Sequence, residues 1–299
     1  MSVAAHLIVG PQPEPFLPAL LASLEGVADR LLVNDNSGEP DGANARALAA
    51  SSFARRGALV MDRAPFVDFA DARNRVLDLH RAHDAGAWAA FVDADEVHRP
   101  LARTVARKLA TLPPGIASVD GYTRHYIQSP DWYMSIERRM SFFRVTPDLR
   151  WQGAVHEKLM GMSGKALAIP YLYDHYGWVM PFGRLAAKGR QYSGLGQAGK
   201  IYQEDEIDAA SGESFLAPYY IKGLPLHAPP PPALAVVRGE LEREFGPRFA
   251  ETERAIRALQ TPAVRARNVL RRANFEMRWR GRSLDPRALA LVAGHRDER

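Results

Sequence analysis

Two aspartates separated by one residue, Asp93 and Asp95, are followed at once by Glu96 and close the apolar run Trp88-Ala89-Ala90-Phe91-Val92. Short acidic side chains at the mouth of a strand can fix a hard divalent cation while the strand below keeps them rigid. Magnesium or manganese in such a place keeps part of its water shell and takes further oxygens from the phosphates of a substrate. The same carboxylates could instead solvate a loop and cap the helix that follows, and an Asp-x-Asp by itself does not decide. Asp35 lies in the turn-forming cluster Asn34-Asp35-Asn36-Ser37-Gly38, directly after another apolar run, and Arg73-Asn74 lies in an amphipathic stretch. A carboxylate such as Asp35 can accept from a ribose hydroxyl or a nucleobase imide. Arg73 can grip an anion or a neighbouring aspartate with two parallel hydrogen bonds, and a structural ion pair is its other reading.

These residues meet on one rim only if the chain builds a parallel sheet with crossover helices. The first hundred residues alternate short apolar runs with helix-like stretches, which is that pattern. Strands are expected over residues 6–9, 30–33, 58–61 and 88–92, and helices over 16–24, 43–55, 69–83 and 100–112. Polar loops at the C-terminal ends of such strands are where this architecture seats ligands. Residues 118–173 are rich in aromatic and β-branched types without helical periodicity and predict antiparallel strands mixed with loops. Helical pattern returns over 182–206, weakened by Gly189, Gly194, Gly196 and Gly199. The stiff run Pro229-Pro230-Pro231-Pro232 divides a first domain, 1–225, from an arginine-rich helical extension, 226–299.

Composition narrows the chemistry. With 299 residues and 46% hydrophobic content the chain can bury one substantial core. It has no cysteine, so disulfides, thiolate zinc sites and cysteine nucleophiles are excluded, and any metal must be held by oxygen or imidazole. No apolar run approaches the roughly 20 residues that cross a bilayer, and the start lacks the basic region of a signal peptide, so the cytoplasm is expected. The formal charge is +5, with Arg265, Arg267, Arg271, Arg272, Arg278, Arg280 and Arg282 crowded together. This segment, which also carries Phe275, Met277 and Trp279, could lie on an anionic membrane or cap the first domain, and the acidic residues from Glu240 to Glu253 favour the cap. Nucleic acid is not expected as a partner, since no reading motif accompanies the charge.

The ordered motifs resemble those of family-two glycosyltransferases. Asn34-Asp35-Asn36-Ser37-Gly38-Glu39 resembles the acidic loop after that family's second strand, with Asn34 in place of its first aspartate. Ala72-Arg73-Asn74 resembles its Ala-Arg-Asn helix motif, and Phe91-Val92-Asp93-Ala94-Asp95-Glu96 its metal-binding strand end. Trp151-Gln152-Gly153-Ala154-Val155-His156-Glu157 resembles the Val-His-Glu segment of a bacterial branch, and Asp174-His175-Tyr176-Gly177 a later histidine motif. The family opens with a strand leading to a Tyr-Asn or Asn-Glu pair, whereas here residues 10–15 read Gly-Pro-Gln-Pro-Glu-Pro, which leaves the nucleotide base open.

The resemblance implies the A-type glycosyltransferase fold, a mostly parallel α/β sheet flanked by helices. It also implies a nucleotide-diphosphate sugar donor, Mn2+ or Mg2+, and a glycan or lipid-linked acceptor. Asp95 and His175 would hold the ion, Asp93 and Asp35 the donor with Arg73 and Asn74, and Glu157 would take the proton of the acceptor hydroxyl, with inversion. Trp151 would desolvate Glu157 and raise its pKa, while His156 orients Glu157 or touches acceptor. Pairing with Arg150 is the structural alternative for Glu157, and Asp131 and Asp174 are reserve bases. Tyr122, Tyr126, Trp132, Tyr133 and Trp178 could stack on sugars or fill the core. His80 and His83 are expected on a solvated helix end. Two other functions fit less closely: a non-catalytic nucleotide- or glycan-binding module, and a metal-dependent phosphohydrolase, for which the first strand offers no carboxylate.

Overall fold

The computed structural model describes residues 2–196, 212–280 and 285–294. Its first half is built of β1 (Val3–Val9), α1 (Leu17–Ser23), β2 (Arg30–Asp35), α2 (Ala43–Ala49), α3 (Ser52–Arg55), β3 (Leu59–Arg63), α4 (Phe69–Ala82), β4 (Trp88–Phe91), β5 (Glu96–Val97) and α5 (Leu101–Lys108). Then come β6 (Ile116–Tyr126), β7 (Trp132–Arg144), a small hairpin of β8 (Arg150–Gln152) and β9 (Lys158–Met160), and β10 (Lys165–His175). The remainder is α6 (Phe182–Gly194), α7 (Gly212–Tyr220), β11 (Leu224–Pro225), α8 (Ala235–Leu259), α9 (Pro262–Arg280) and α10 (Pro286–Val292). No described helix is long and apolar enough to cross a membrane.

The central sheet runs β3-β2-β1-β4-β7-β6-β10-β5, with β11 beside β7. β3, β2, β1 and β4 are mutually parallel, and central strands covered on both faces read as near-continuous apolar runs, as β1 does. β7 enters antiparallel between β4 and β6. β10 then pairs parallel to β6, which the strand pattern of residues 118–173 did not foretell. Two antiparallel steps restore direction, so the C-terminal ends of β1, β2, β4, β6 and β10 share one edge of the sheet.

Local chemistry explains where the helices begin and end. Asp68 caps α4, accepting from Asp71 N at 2.7 Å. The helix expected over 43–55 is instead broken in two, because Ser51 adopts an extended backbone and its hydroxyl caps α3 through Ala54 N at 3.2 Å. Beyond Leu195 the helix expected over 182–206 lies mostly outside the described residues. The C-terminal extension is helical, as expected, and its Leu234, Val237 and Leu241 share one apolar cluster with Phe16, Tyr122, Tyr126 and Tyr176.

One expectation fails here. His80 is not on a solvated helix end but 2% exposed, its Nε2 donating to Gly86 O at 2.8 Å. Its Nδ1 must therefore accept, and the donor is Nε2 of buried His6, also at 2.8 Å. Burial drives the pKa of His6 well below its usual value and that of His98 down to about 3. Unfolded histidines bind a proton below about pH 6.5, while these stay neutral in the fold, so their stabilisation is complete above that pH and declines as pH falls. Each such histidine contributes a loss of about 1.4 kcal/mol between pH 7.5 and 5.5. Proton NMR of the folded protein should show no titration of the His6 and His98 imidazoles over that range, and a midpoint near 6.5 for either would contradict its buried neutral state.

Candidate active site

Strand register delivers the acidic residues to the shared edge. Val9 of β1 stands opposite Asp35 of β2, and His6 opposite Phe91 of β4, so Asp35 and Asp93 emerge on either side of the end of β1. After β4 the chain turns, Glu96 N donating to Asp93 O at 3.1 Å, and enters β5. β5 pairs antiparallel with the end of β10, Glu96 facing His175 and Val97 facing Asp174 in register. That short pairing, with Tyr176 N donating to Asp95 O at 2.8 Å, brings a histidine 80 positions later to the aspartate pair.

Asp93 is held by two arginines. Arg73 of α4 donates to Oδ1, and Arg139 of β7 to Oδ2 at 2.5 Å. Arg73 is 4% exposed and also donates to Val92 O and Glu157 Oε1, each at 3.2 Å. Arg139 reaches Glu96 Oε1 at 2.6 Å, and both guanidinium groups lie over the ring of Phe91, at 4.3 and 4.7 Å. Burial opposes charge on Asp93, but Arg139 and then Arg73 outweigh it and hold the carboxyl far below the usual range. Burial carries the Glu96 carboxyl up to about 7, against the pull of Arg139.

Asp95 is disposed differently. No arginine among the described residues pairs with it; His175 Nε2 lies 3.3 Å from its Oδ1, and one ligand atom from each of Asp93, Asp95 and His175 lies within 4.8 Å of the others. Burial pushes the Asp95 carboxyl up, yet His175 brings it down to about 2. Asp95 Oδ1 is buried and makes no well-formed hydrogen bond. Gly177 leaves the room: a methyl there would stand 2.6 Å from His175 Cε1 and 2.7 Å from Asp95 Oδ2.

The other expected residues divide. Asp35 is buried, its Oδ1 accepts from Ser37 N at 3.0 Å, and its Oδ2 has no hydrogen-bond partner among the described residues, with Arg63 3.7 Å away. Glu157 reaches the site through Arg73, so its arginine is Arg73 and not Arg150, which bonds Asp78 at 2.6 Å. Arg73 itself is committed to Asp93, Glu157 and a backbone carbonyl, the structural reading rather than a grip on donor phosphate. Asn74 clasps the main chain of Trp151, donating to O at 3.0 Å and accepting from N at 2.9 Å, which is a scaffolding task. Trp151 is core, 5% exposed and stacked on Phe91, and does not present its ring to an acceptor. His156 is exposed, in the left-handed region at φ 55°, with its ring 6.2 Å from that of Tyr192.

Neither reserve base qualifies. Asp174 is fully buried and satisfied by Arg99 and the Tyr126 hydroxyl at 2.8 Å and Arg124 at 3.4 Å. Asp131 sits half-exposed in the turn before β7, 4.0 Å from Arg238. Tyr122, Tyr126, Trp132 and Tyr133 are core, and Trp178 rests against Tyr219.

Sequence reasoning missed Arg139, Glu14 and the face of α6 above the site. Glu14, in the Pro-punctuated loop after β1, pairs with Arg184 at 3.1 Å, and burial, then the charge of Asp95, raises its carboxyl to about 7. Arg184, Lys188 and Tyr192 follow one another at four-residue spacing on α6, a single helical stripe. Tyr192 meets Phe69 and His156 edge-on, and the charge of Lys188 bears on Asp95 and Glu14. The four-residue spacing was the available signal, obscured by the glycines around it.

No protein-family model matches the chain, and no curated protein matches its sequence. Among solved structures it is similar to the mannosyltransferase PcManGT from Pyrobaculum calidifontis in complex with GDP-Man and Mn2+, with 14% identity and a TM-score of 0.40 over 98% of this chain and 86% of that one. It is also similar to a mannose-1-phosphate geranyltransferase from Thermus thermophilus, with 16% identity and a TM-score of 0.29 over 51% of this chain and 49% of that one. A third is the inositol-1-phosphate CTP transferase from T. maritima, with 8% identity and a TM-score of 0.34 over 66% of this chain and 97% of that one. Likenesses this distant carry no residue's role across to this chain.

The Asp93 knot generates a stability prediction. Arg139→Met leaves Glu96 without its buried cation and Asp93 with only one, so unfolding free energy should fall by about 3–5 kcal/mol. Arg139→Lys should recover only part, since one ammonium cannot serve two carboxylates in fork geometry. A loss below about 1 kcal/mol in urea titration would show that the pair contributes no more than a surface bridge.

Proposed function

We propose that the protein is a metal-dependent glycosyltransferase that moves a sugar from a nucleotide-diphosphate donor to the hydroxyl of a glycan or lipid-linked acceptor, with inversion, in bacterial glycan or glycoconjugate synthesis. The observation that carries this reading is the convergence of Asp95, His175 and Asp93 at the C-terminal edge of the parallel strands, beside Asp35 with its buried, unpartnered oxygen. The order of motifs along the chain agrees with it.

The donor set fits Mn2+ or Mg2+. Two carboxylates and one imidazole, with no thiolate, suit a hard or borderline cation. Two ligands at about 2.1 Å from one ion, near octahedral angles, stand about 3 Å apart, and Asp95 Oδ1 and His175 Nε2 are 3.3 Å apart. Asp95 and His175 are the better pair, since both oxygens of Asp93 already accept from arginines. A bound ion would neutralise the charge of the departing nucleoside diphosphate.

The chain's own residues supply the rest. Asp35 Oδ2 accepts from a ribose hydroxyl or the base. Arg73 engages Oε1 of Glu157, so Oε2 takes the acceptor's proton while the acceptor oxygen attacks the anomeric carbon; the bond to the diphosphate breaks with its electron pair. Attack from the face opposite the leaving group gives inversion. The pairing of Glu157 with Arg73 also favours a second reading, a nucleotide-binding module that has kept the site without turnover.

Calorimetry with uridine, guanosine and thymidine diphosphate sugars, with manganese and with chelator, tests the donor site. One nucleotide class should bind in a metal-dependent manner, and Asp95→Ala or Gly177→Ala should weaken it at least tenfold in a folded protein. No binding by any class would overturn the transferase reading. Glu157→Gln should keep donor binding and lower turnover by about 100-fold or more; binding without turnover in the parent would select the module instead.

A further inference from the structure

α9 turns two unlike faces to its surroundings. Its inner face is tied to the body of the protein: Asn268 donates to Ile221 O at 2.9 Å, Arg271 to Lys222 O at 2.9 Å and Met134 O at 2.5 Å, while Phe275 and Trp279 pack against the apolar cluster beside β6 and β7. Its outer face carries Ala263, Ala266, Val269, Leu270, Ala273 and Met277, all exposed. At 3.6 residues per turn these six positions fall within an arc of about 120°. Val269, Leu270 and Met277 are 66%, 72% and 66% exposed, too much apolar surface for a helix whose packing is already complete on the other side. Arg265 borders the stripe on one side and Arg267 and Arg278 on the other, all exposed, and the helix exposes no carboxylate among its described residues, Glu276 being half-buried.

We propose that this face of α9 docks on an anionic lipid bilayer, apolar stripe immersed at the headgroup boundary and flanking arginines on lipid phosphates. Apolar centre and cationic borders are the arrangement of a helix lying in a membrane interface. A nucleic acid would want its arginines across the centre of the contact, where, among the described side chains from Ala263 to Met277, there is leucine and methionine. A second copy seated symmetrically would bring arginine rows against arginine rows. The bilayer alone matches stripe and borders together. The anchoring side chains and the docking side chains are different residues, so docking requires no unfolding of the helix. The proposal is independent of the donor site.

Sedimentation of the full chain with vesicles tests it. The protein should bind phosphatidylcholine vesicles containing phosphatidylglycerol, bind phosphatidylcholine alone at least tenfold more weakly, and lose affinity as salt rises. Leu270→Glu with Met277→Glu should abolish binding, and each of Arg267→Gln and Arg278→Gln should weaken it about fivefold. All of these side chains are exposed, so the variants fold, and nucleotide-sugar binding by the double variant should equal that of the parent. Equal binding to both vesicle types, no binding to either, or unchanged binding by the double variant would overturn the proposal. So would concentration-dependent dimerisation in analytical ultracentrifugation that the double variant removes in a chain that ignores vesicles.

Discussion

The ion knot around Asp93 is the constraint on which the site depends. A carboxylate taken out of water at the end of a strand is costly unless cations and hydrogen bonds replace its hydration. Here two guanidinium groups do so, one from α4 and one from β7, and the ring of Phe91 lies against both planes. Each arginine then reaches a second carboxylate, Arg73 to Glu157 and Arg139 to Glu96. The knot thereby fixes a helix, an antiparallel strand, the end of a parallel strand and a loop more than 60 positions further on. Glu157 stands where it does because Arg73 is already held by Asp93.

Saturating Asp93 is what distinguishes it from Asp95. The turn closed by Glu96 N and Asp93 O sends the two aspartates to different neighbours. Asp93 meets arginines, which leave its oxygens engaged. Asp95 meets an imidazole, which is itself a ligand type and can share a cation. The pairing of β5 with β10 makes that meeting possible, and Gly177 keeps it open, since a side chain there would press on both groups.

Much of this was legible in the residues. The parallel strands announced themselves as apolar runs ending in polar turns, because a strand buried on both faces has no alternation to hide. Asp93, Asp95 and His175 were legible as a group only through the order of motifs, since sequence spacing alone does not bring residue 175 beside residue 95. The same motifs did not show how Asn74 and Trp151 are engaged with each other. A motif says which residues gather near a site, not which way each side chain turns, and the Asn74 carboxamide and Trp151 backbone satisfy one another. Arg139 was hidden because a charged residue inside an aromatic-rich strand reads as a solvated position until its partners are known. Glu14 was hidden by its prolines, which mark a loop without saying what lies across from it.

The four carboxylates around the candidate cation site end up in two electrostatic classes, and burial alone does not sort them. All four are largely withdrawn from water, which raises each. Arginines on Asp93 and a histidine beside Asp95 reverse that effect, while Glu14 and Glu96, each with one arginine and a charged aspartate close by, are left near 7. Neighbouring carboxylates driven apart in this way take different roles, one set permanently charged and one able to change. The permanently charged pair faces His175 across the strand ends, and Glu14 lies under the stripe of α6 with Arg184 beside it. The Glu14–Arg184 pair and the charge of Lys188 on Asp95 join the two. Charge at the floor of the site is thus tied to the helix that lies over it.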